Sequence, residues 1–242
     1  MSRIFICIIG SFELPCYVDM IRMRKLQLKK YKIPHIFLFD GSIPNTYILD
    51  PNDRWYEKEV PPWPVENELN TRTNALNPHM ILKFLKGVRE FDETQYDYII
   101  RVNLSTFINF PKLQKMLDVS KRHHYAGGHC MKFRISDWRP NSYDEFEFIS
   151  GACMIFSSDV ITFFKSFPFT SYILYEHNDD IVLSYLAKLY VNTFNHINMV
   201  FLEGGINYDS IENVIYRIKH INRDDDIYVW KKLLKSCDDL VA

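Results

Sequence analysis

The chain lacks most features that would settle its class quickly. Its five cysteines (Cys7, Cys16, Cys130, Cys153 and Cys237) are odd in number, widely spread and without a CxxC pair. That excludes a disulfide framework and a zinc knuckle, and it suits a reducing compartment. The longest apolar run near the start, Ile4 to Gly10, is too short to cross a bilayer and makes a poor signal-peptide core between Arg3 and Glu13. A cytoplasmic protein with no membrane span is therefore expected. A formal net charge of -1 gives no general pull on polyanions and argues against a dedicated nucleic-acid binder. Repeats, low-complexity tracts and Gly/Ser linkers are missing too, so the 242 residues read as one domain.

What is present is a large apolar fraction, 47%, with 24% charged residues, enough for a substantial core. The aromatic share of 15% is high, but most rings fall inside apolar runs, where a core role is the simpler reading. Ile4–Ile9 is a continuous apolar run of the kind found in strands buried on both faces of a parallel sheet. Pro15 then opens a segment with Tyr17, Met20, Ile21, Arg24, Leu28 and Tyr31 at helical spacing. Lys25, Lys29, Lys30 and Lys32 read as its wet face. Ile36–Phe39 is a second strand ending at Asp40-Gly41, which completes a βαβ unit.

The stretch from Ser42 to Asn70 is rich in Pro, Asn and charge and reads as a long irregular segment. After it come a helix over Asn77–Phe91, a strand over Tyr96–Val102, the end of another strand at Tyr125–Gly128 and a strand over Phe148–Phe156. Helices near Ser158–Phe164 and Asp179–Tyr190, a short strand at Val200–Leu202 and a last helix from Asp224 complete the pattern. This alternation predicts an α/β fold with a mostly parallel central sheet flanked by helices. The opening βαβ unit makes 1–110 the expected nucleotide-binding half, with 111–242 as the second half and C-terminal tail. Ligand contacts belong at the carboxyl ends of the first strands: Gly10, Ser11 and Phe12 after the first, Asp40 after the second. Arg72 is a further candidate for the base or diphosphate, and an ordinary surface arginine is at least as good a reading.

From Asp97 to Asn109 the sequence DYIIRVNLSTFIN resembles the β-1,3-galactosyltransferase and Fringe group of GT-A glycosyltransferases, in which a strand ends in an acidic DxD cluster followed by Phe-Val-Asn. Two further segments follow in the same order. Ser150-Gly151-Ala152-Cys153-Met154-Ile155-Phe156-Ser157 is similar to the glycine-containing strand on the acceptor side. Asn178-Asp179-Asp180-Ile181 looks like the segment that opens the helix carrying the catalytic base. The resemblance covers roughly residues 70 to 190 and implies a transferase that takes a sugar from a nucleotide-diphosphate donor, a UDP-sugar first of all. The acceptor would be a glycan or glycoprotein. It makes Asp180 the base with Asp179 beside it, and places Gly151 on the acceptor side. Trp138, in the polar segment Arg134–Glu147, is a candidate to stack on an acceptor sugar, with a loop anchor an equal reading.

The departure is as informative as the match. The DxD positions are Asn103-Leu104-Ser105, with no aspartate. A hard cation wants anionic oxygens, so Mn²⁺ or Mg²⁺ binding is doubtful and no cofactor is expected. Asn103 and Ser105 remain as neutral donor contacts. The tail Tyr216–Arg223 offers Arg217, Lys219, His220 and Arg223 in eight residues and resembles the Arg-x-Lys tail of some virus-encoded transferases. Arg217 and Lys219 would hold the diphosphate, with His220 as a further donor-side candidate; a solvated basic strand is the plain alternative. The Lys-, Ile- and Asn-rich composition also looks viral, which would place the protein in the host cytoplasm. Asp224-Asp225-Asp226 contains a literal DxD but precedes Ile227, Trp230, Leu233 and Leu234 at helical spacing, so it reads as a helix start. Retaining chemistry on the same scaffold, or a non-catalytic nucleotide-sugar- or glycan-binding module, are the rival expectations.

Overall fold

A computed structural model describes residues 1–45, 47–57, 78–119, 123–134, 145–168, 178–202, 213–220 and 222–239. The opening unit is β1 (Ile4–Ile9), α1 (Cys16–Lys30) and β2 (His35–Asp40), with β1 and β2 parallel. Every residue of β1 is buried. Ile4, Ile6 and Ile8 join one core and Phe5, Cys7 and Ile9 the other. Helices cover both faces, which is why the run is apolar at every position. The α1 helix ends when Lys32 adopts a left-handed backbone (φ 53°) and the Ile33 N–H reaches back to the Leu28 carbonyl at 3.0 Å, a terminus that satisfies an orphan carbonyl.

Next come β3 (Asp53–Tyr56), α2 (Pro78–Val88), a 3-10 turn (Glu93–Gln95), β4 (Tyr98–Asn103), β5 (Thr106–Ile108) and α3 (Phe110–Val119). The order then runs β6 (Ala126–Arg134), β7 (Glu145–Ser157), α4 (Ser158–Ser166), α5 (Asp179–Lys188), β8 (Asn195–His196), β9 (Met199–Leu202), β10 (Ile215–Ile218) and α6 (Asp225–Asp239). Seven strands form one sheet in the order β3-β2-β1-β4-β7-β6-β8. It is mostly parallel: β7 alone runs against its neighbours β4 and β6. A second sheet, β5-β10-β9, lies on the face that also carries α1, α3 and α6. The opposite face carries α2, α4 and α5. Strands from both the 1–110 and 111–242 stretches share the large sheet.

Five elements differ from the sequence expectation. The irregular stretch after Ser42 contains β3, whose buried Asp53 takes an ion pair from Lys25 at 2.8 Å; Lys25 is thus a tether rather than part of a wet face. Tyr125–Gly128 begins a strand instead of ending one. β5 and α3 went unmarked because a three-residue strand and a ten-residue helix follow each other across one turn. β10 occupies the start of the basic tail. Among the described residues, no helix is long and apolar enough to cross a membrane.

Candidate functional site

The chain passes from β1 to β2 on one side of the sheet and later returns to β4 on the other side of β1. That reversal is the place where open α/β sheets leave a crevice at their carboxyl ends. A cleft of about 240 Å³ lies there, lined by Gly10, Ser11, Asp40, Asn103, Ser105 and Arg217, with Glu13, Tyr17, Met80, Ile9 and Leu104 completing the wall. Six residues expected from the sequence therefore meet in one cleft. Gly10 is needed there because a Cβ would lie 2.6 Å from the Phe39 ring.

Asp40 is 7% exposed and ion-paired to Lys83 of α2 at 3.0 Å. The same ammonium donates to the Gly10 carbonyl at 3.1 Å, so one buried lysine ties together the ends of β1 and β2. Burial pushes the Lys83 ammonium below its ordinary value, against the pull of Asp40. Phe12 turns away into an aromatic group, 4.7 Å from Phe39 and 4.9 Å from Tyr47 by ring centroids, and is not part of the cleft wall.

At the end of β4, Leu104 and Ser105 are buried, and the Asn103 side-chain oxygen is buried without a hydrogen-bond partner among the described residues. A buried acceptor left unanswered costs about 1–3 kcal/mol, and a ligand hydroxyl would satisfy it. As a metal site the segment does not fit: Asn103 and Ser105 offer neutral oxygens and Leu104 packs into the core. No group of three or more His, Cys, Asp or Glu side chains with metal-site geometry occurs among the described residues.

The basic tail divides by position. β10 runs antiparallel to β5 with Arg217 opposite Thr106, and the Arg217 guanidinium donates to the Thr106 hydroxyl at 3.2 Å. This pairing brings Arg217 over Ser105 and into the cleft. Burial pushes its guanidinium down to about 10, so it stays charged at neutral pH. Lys219 is exposed and is not part of the cleft wall. His220 is buried, with both its backbone N–H and Nδ1 within 2.9 Å of Asp226 Oδ1. Arg223 meets the other Asp226 oxygen at 2.9 Å. Asp226 at the start of α6 thus occupies two of the four basic side chains, and Arg217 is the one that reaches the cleft.

Asp179 and Asp180 begin α5. Asn178 makes no side-chain cap bond, and both carboxylates face the sheet. Asp179 forms an ion pair with Arg101 of β4. Asp180 accepts the Gly151 N–H at 3.2 Å and its neighbour's N–H, from Ile181, at 3.0 Å. Burial, and then the charge of Asp179, raise the Asp180 carboxyl above the ordinary carboxylate range. The expected acceptor-side Gly151 thus lies against the expected base. Trp138 and Arg72 lie outside the described residues.

Two residues escaped the sequence reading, and each carried a signal. Arg101 interrupts the apolar strand Tyr98–Val102, and Lys83 interrupts the apolar helix face of Ile81, Leu82, Phe84 and Leu85. A charge inside an apolar run is rarely buried unless it is paired.

No protein-family model matches the chain, and no curated protein matches it in sequence. Among solved structures, the chain is similar to a glycosyltransferase involved in the glycosylation of the major capsid of PBCV-1. The two share 10% sequence identity over 93% of this chain and 98% of that one, with a TM-score of 0.45.

Proposed function

We propose that this chain is a glycosyltransferase that moves a sugar from a nucleotide-diphosphate donor, a UDP-sugar first of all, to a hydroxyl of a glycan or glycoprotein. The observation that carries the reading is the cleft at the sheet's switch point, where Gly10, Ser11, Asp40, Asn103, Ser105 and Arg217 converge. A nucleoside fits the carboxyl ends of β1 and β2, and its diphosphate fits Arg217.

The reaction is a single inverting displacement. The acceptor O–H gives its proton to the Asp180 carboxylate as the oxygen forms a bond to the anomeric carbon. The bond from that carbon to the diphosphate breaks, and its electron pair leaves with the nucleotide. A positioned base contributes about 10²–10⁴-fold, and a raised proton affinity brings Asp180 closer to the working pH. Charge on the departing diphosphate is met by Arg217 through bonds of about 1.5–3 kcal/mol each, without a divalent ion. Asn103 answers a donor hydroxyl.

Asp180→Asn tests this. Transfer lost with nucleotide binding retained agrees with the proposal. Full transfer in the variant removes Asp180 as base. Nucleotide or glycan binding without turnover in the unaltered protein assigns a binding module in place of an enzyme, and retained anomeric configuration in the product replaces the inverting scheme.

A further inference from the structure

Arg101 is wholly buried on β4, two residues before Asn103. Its Nη2 pairs with Asp179, whereas Nε and Nη1 make no hydrogen bond among the described residues. Burying a guanidinium is repaid only when its geometry and hydrogen bonds are good, so an arginine held with two nitrogens unanswered is poor as a purely stabilising device. What faces it explains its place. In the β6–β7 ladder Gly128 pairs with Met154 and Cys130 with Ile149. His129 alone therefore stands opposite the stretch Ser150–Cys153, and this irregularity throws β7 out of the ladder. A bulge of this kind re-aims the backbone beside a site. Its Gly151 N–H reaches Asp180, and a Cβ at Gly151 would lie 2.9 Å from Arg101 Nη1 and 3.1 Å from the Asp180 Cβ. Arg101, Asp179, Asp180 and the bulge thus meet around a notch that only glycine leaves open.

We propose that Arg101 is the positioning residue of this site: it neutralises Asp179 through Nη2, holds the first turn of α5 against the sheet, and leaves Asp180 as the one uncompensated carboxylate. The inference rests on the reading of Asp180 as the base. The groups facing Asp180 are Asp179 and the Ile181 N–H on α5, Arg101 on β4 and the Gly151 N–H on β7. The Lys83–Asp40 pair on α2 and β2 lies within the field of Arg101 and Asp179.

The two members of one ion pair then act on Asp180 in opposite directions. Without the Arg101 charge, Asp179 stands uncompensated beside Asp180, which keeps its proton to higher pH. Without the Asp179 charge, Arg101 faces Asp180 alone, which loses its proton at lower pH. The test follows the Asp180 carboxyl carbon by NMR across pH in the full chain, with the resonance assigned through Asp180→Asn. Arg101→Met, Arg101→Lys and Asp179→Asn are compared with the unaltered protein, and the pH profile of transfer is measured in parallel.

The expected result is an Asp180 midpoint about one pH unit higher in Arg101→Met and about one unit lower in Asp179→Asn, with Arg101→Lys near the unaltered protein. The acidic limb of the transfer profile moves with it. Equal or absent shifts in folded variants overturn the inference. If Arg101→Met does not fold, the downward shift in Asp179→Asn and its absence in Arg101→Lys decide the matter. Opposite shifts without any transfer activity contradict the proposed function while leaving the Arg101 arrangement intact. Transfer activity without opposite shifts contradicts Arg101 alone.

Discussion

Gly151→Ala is the most exacting test of how the bulge, the arginine and the helix fit together. The added methyl would sit 2.9 Å from Arg101 Nη1, 3.1 Å from the Asp180 Cβ and 3.5 Å from its Oδ2. Arg101 is wholly buried and ion-paired, so it cannot swing aside. The Cβ of Asp180 is carried by the α5 backbone, so the start of the helix must give way by a few tenths of an ångström. Overpacking of this kind costs about 1–3 kcal/mol. At about 2–4 °C per kcal/mol for a chain of this size, the melting temperature falls by roughly 2–12 °C. Transfer falls further, by roughly tenfold in kcat/KM, since a misplacement of about 1 Å can cost about 10²-fold. Nucleotide affinity stays, because neither Gly151 nor Asp180 is part of the cleft wall. Leu117→Ala, at the far end of α3, is the control. It loses about 2–5 kcal/mol of stability and keeps its kcat/KM well below the melting transition. Calorimetry and steady-state kinetics on both variants give the answer. Wild-type melting and wild-type kcat/KM in Gly151→Ala would refute the notch.

Other expectations rest on single residues. Arg217→Ala removes the cation that reaches the cleft and should weaken nucleotide-diphosphate binding by roughly 10–150-fold, the equivalent of about 1.5–3 kcal/mol; calorimetric titration with unchanged affinity would contradict this. Because burial and Asp179 raise the Asp180 carboxyl, its ionisation opposes folding. Its contribution to stability is present below the ordinary carboxylate value and is lost as pH rises through the raised one. Asp180→Asn should therefore melt above the unaltered protein at neutral pH, and the gap should close in acid. Melting curves with a pH-independent difference would speak against that. Trp230→Ala strips a fully buried ring from between Phe107 (5.1 Å between ring centroids) and the Arg24 guanidinium (4.4 Å). A loss of about 3–5 kcal/mol is expected by chemical denaturation.

The parts legible from sequence were those where one physical cause dominates. β1 showed as an unbroken apolar run because both its faces are covered, β4 as an apolar run broken by Arg101, and α1 through its spacing. The reversed direction of β7 has no local signature, since a buried strand reads the same either way. β3 escaped because four residues with Asp53 and Arg54 among them carry little strand pattern. At the site, Gly10, Ser11 and Asp40 were legible from position alone, as the ends of the first two strands. The basic tail announced four basic side chains but not their division. That depends on Asp226, six residues past His220 and three past Arg223, and on the pairing of β10 with β5. Arg101 and Lys83 stood in plain view as charges in apolar runs; their partners Asp179 and Asp40 are far away in sequence, so only the fold brings them together.

The central claim, a nucleotide-diphosphate-sugar site that holds its donor without a metal ion, is tested most directly by thermal shift. A panel of nucleotide diphosphates and nucleotide-sugars is added to the full chain in chelator and, separately, in Mn²⁺. A ligand at about a hundred times its Kd stabilises by about 2.7 kcal/mol, enough to read as a shift. The account predicts stabilisation by one nucleotide series, a uridine series first of all, equal in chelator and in Mn²⁺. A shift that appears only with Mn²⁺ would contradict the reading of Asn103-Leu104-Ser105, and no shift with any nucleotide would contradict the donor site itself.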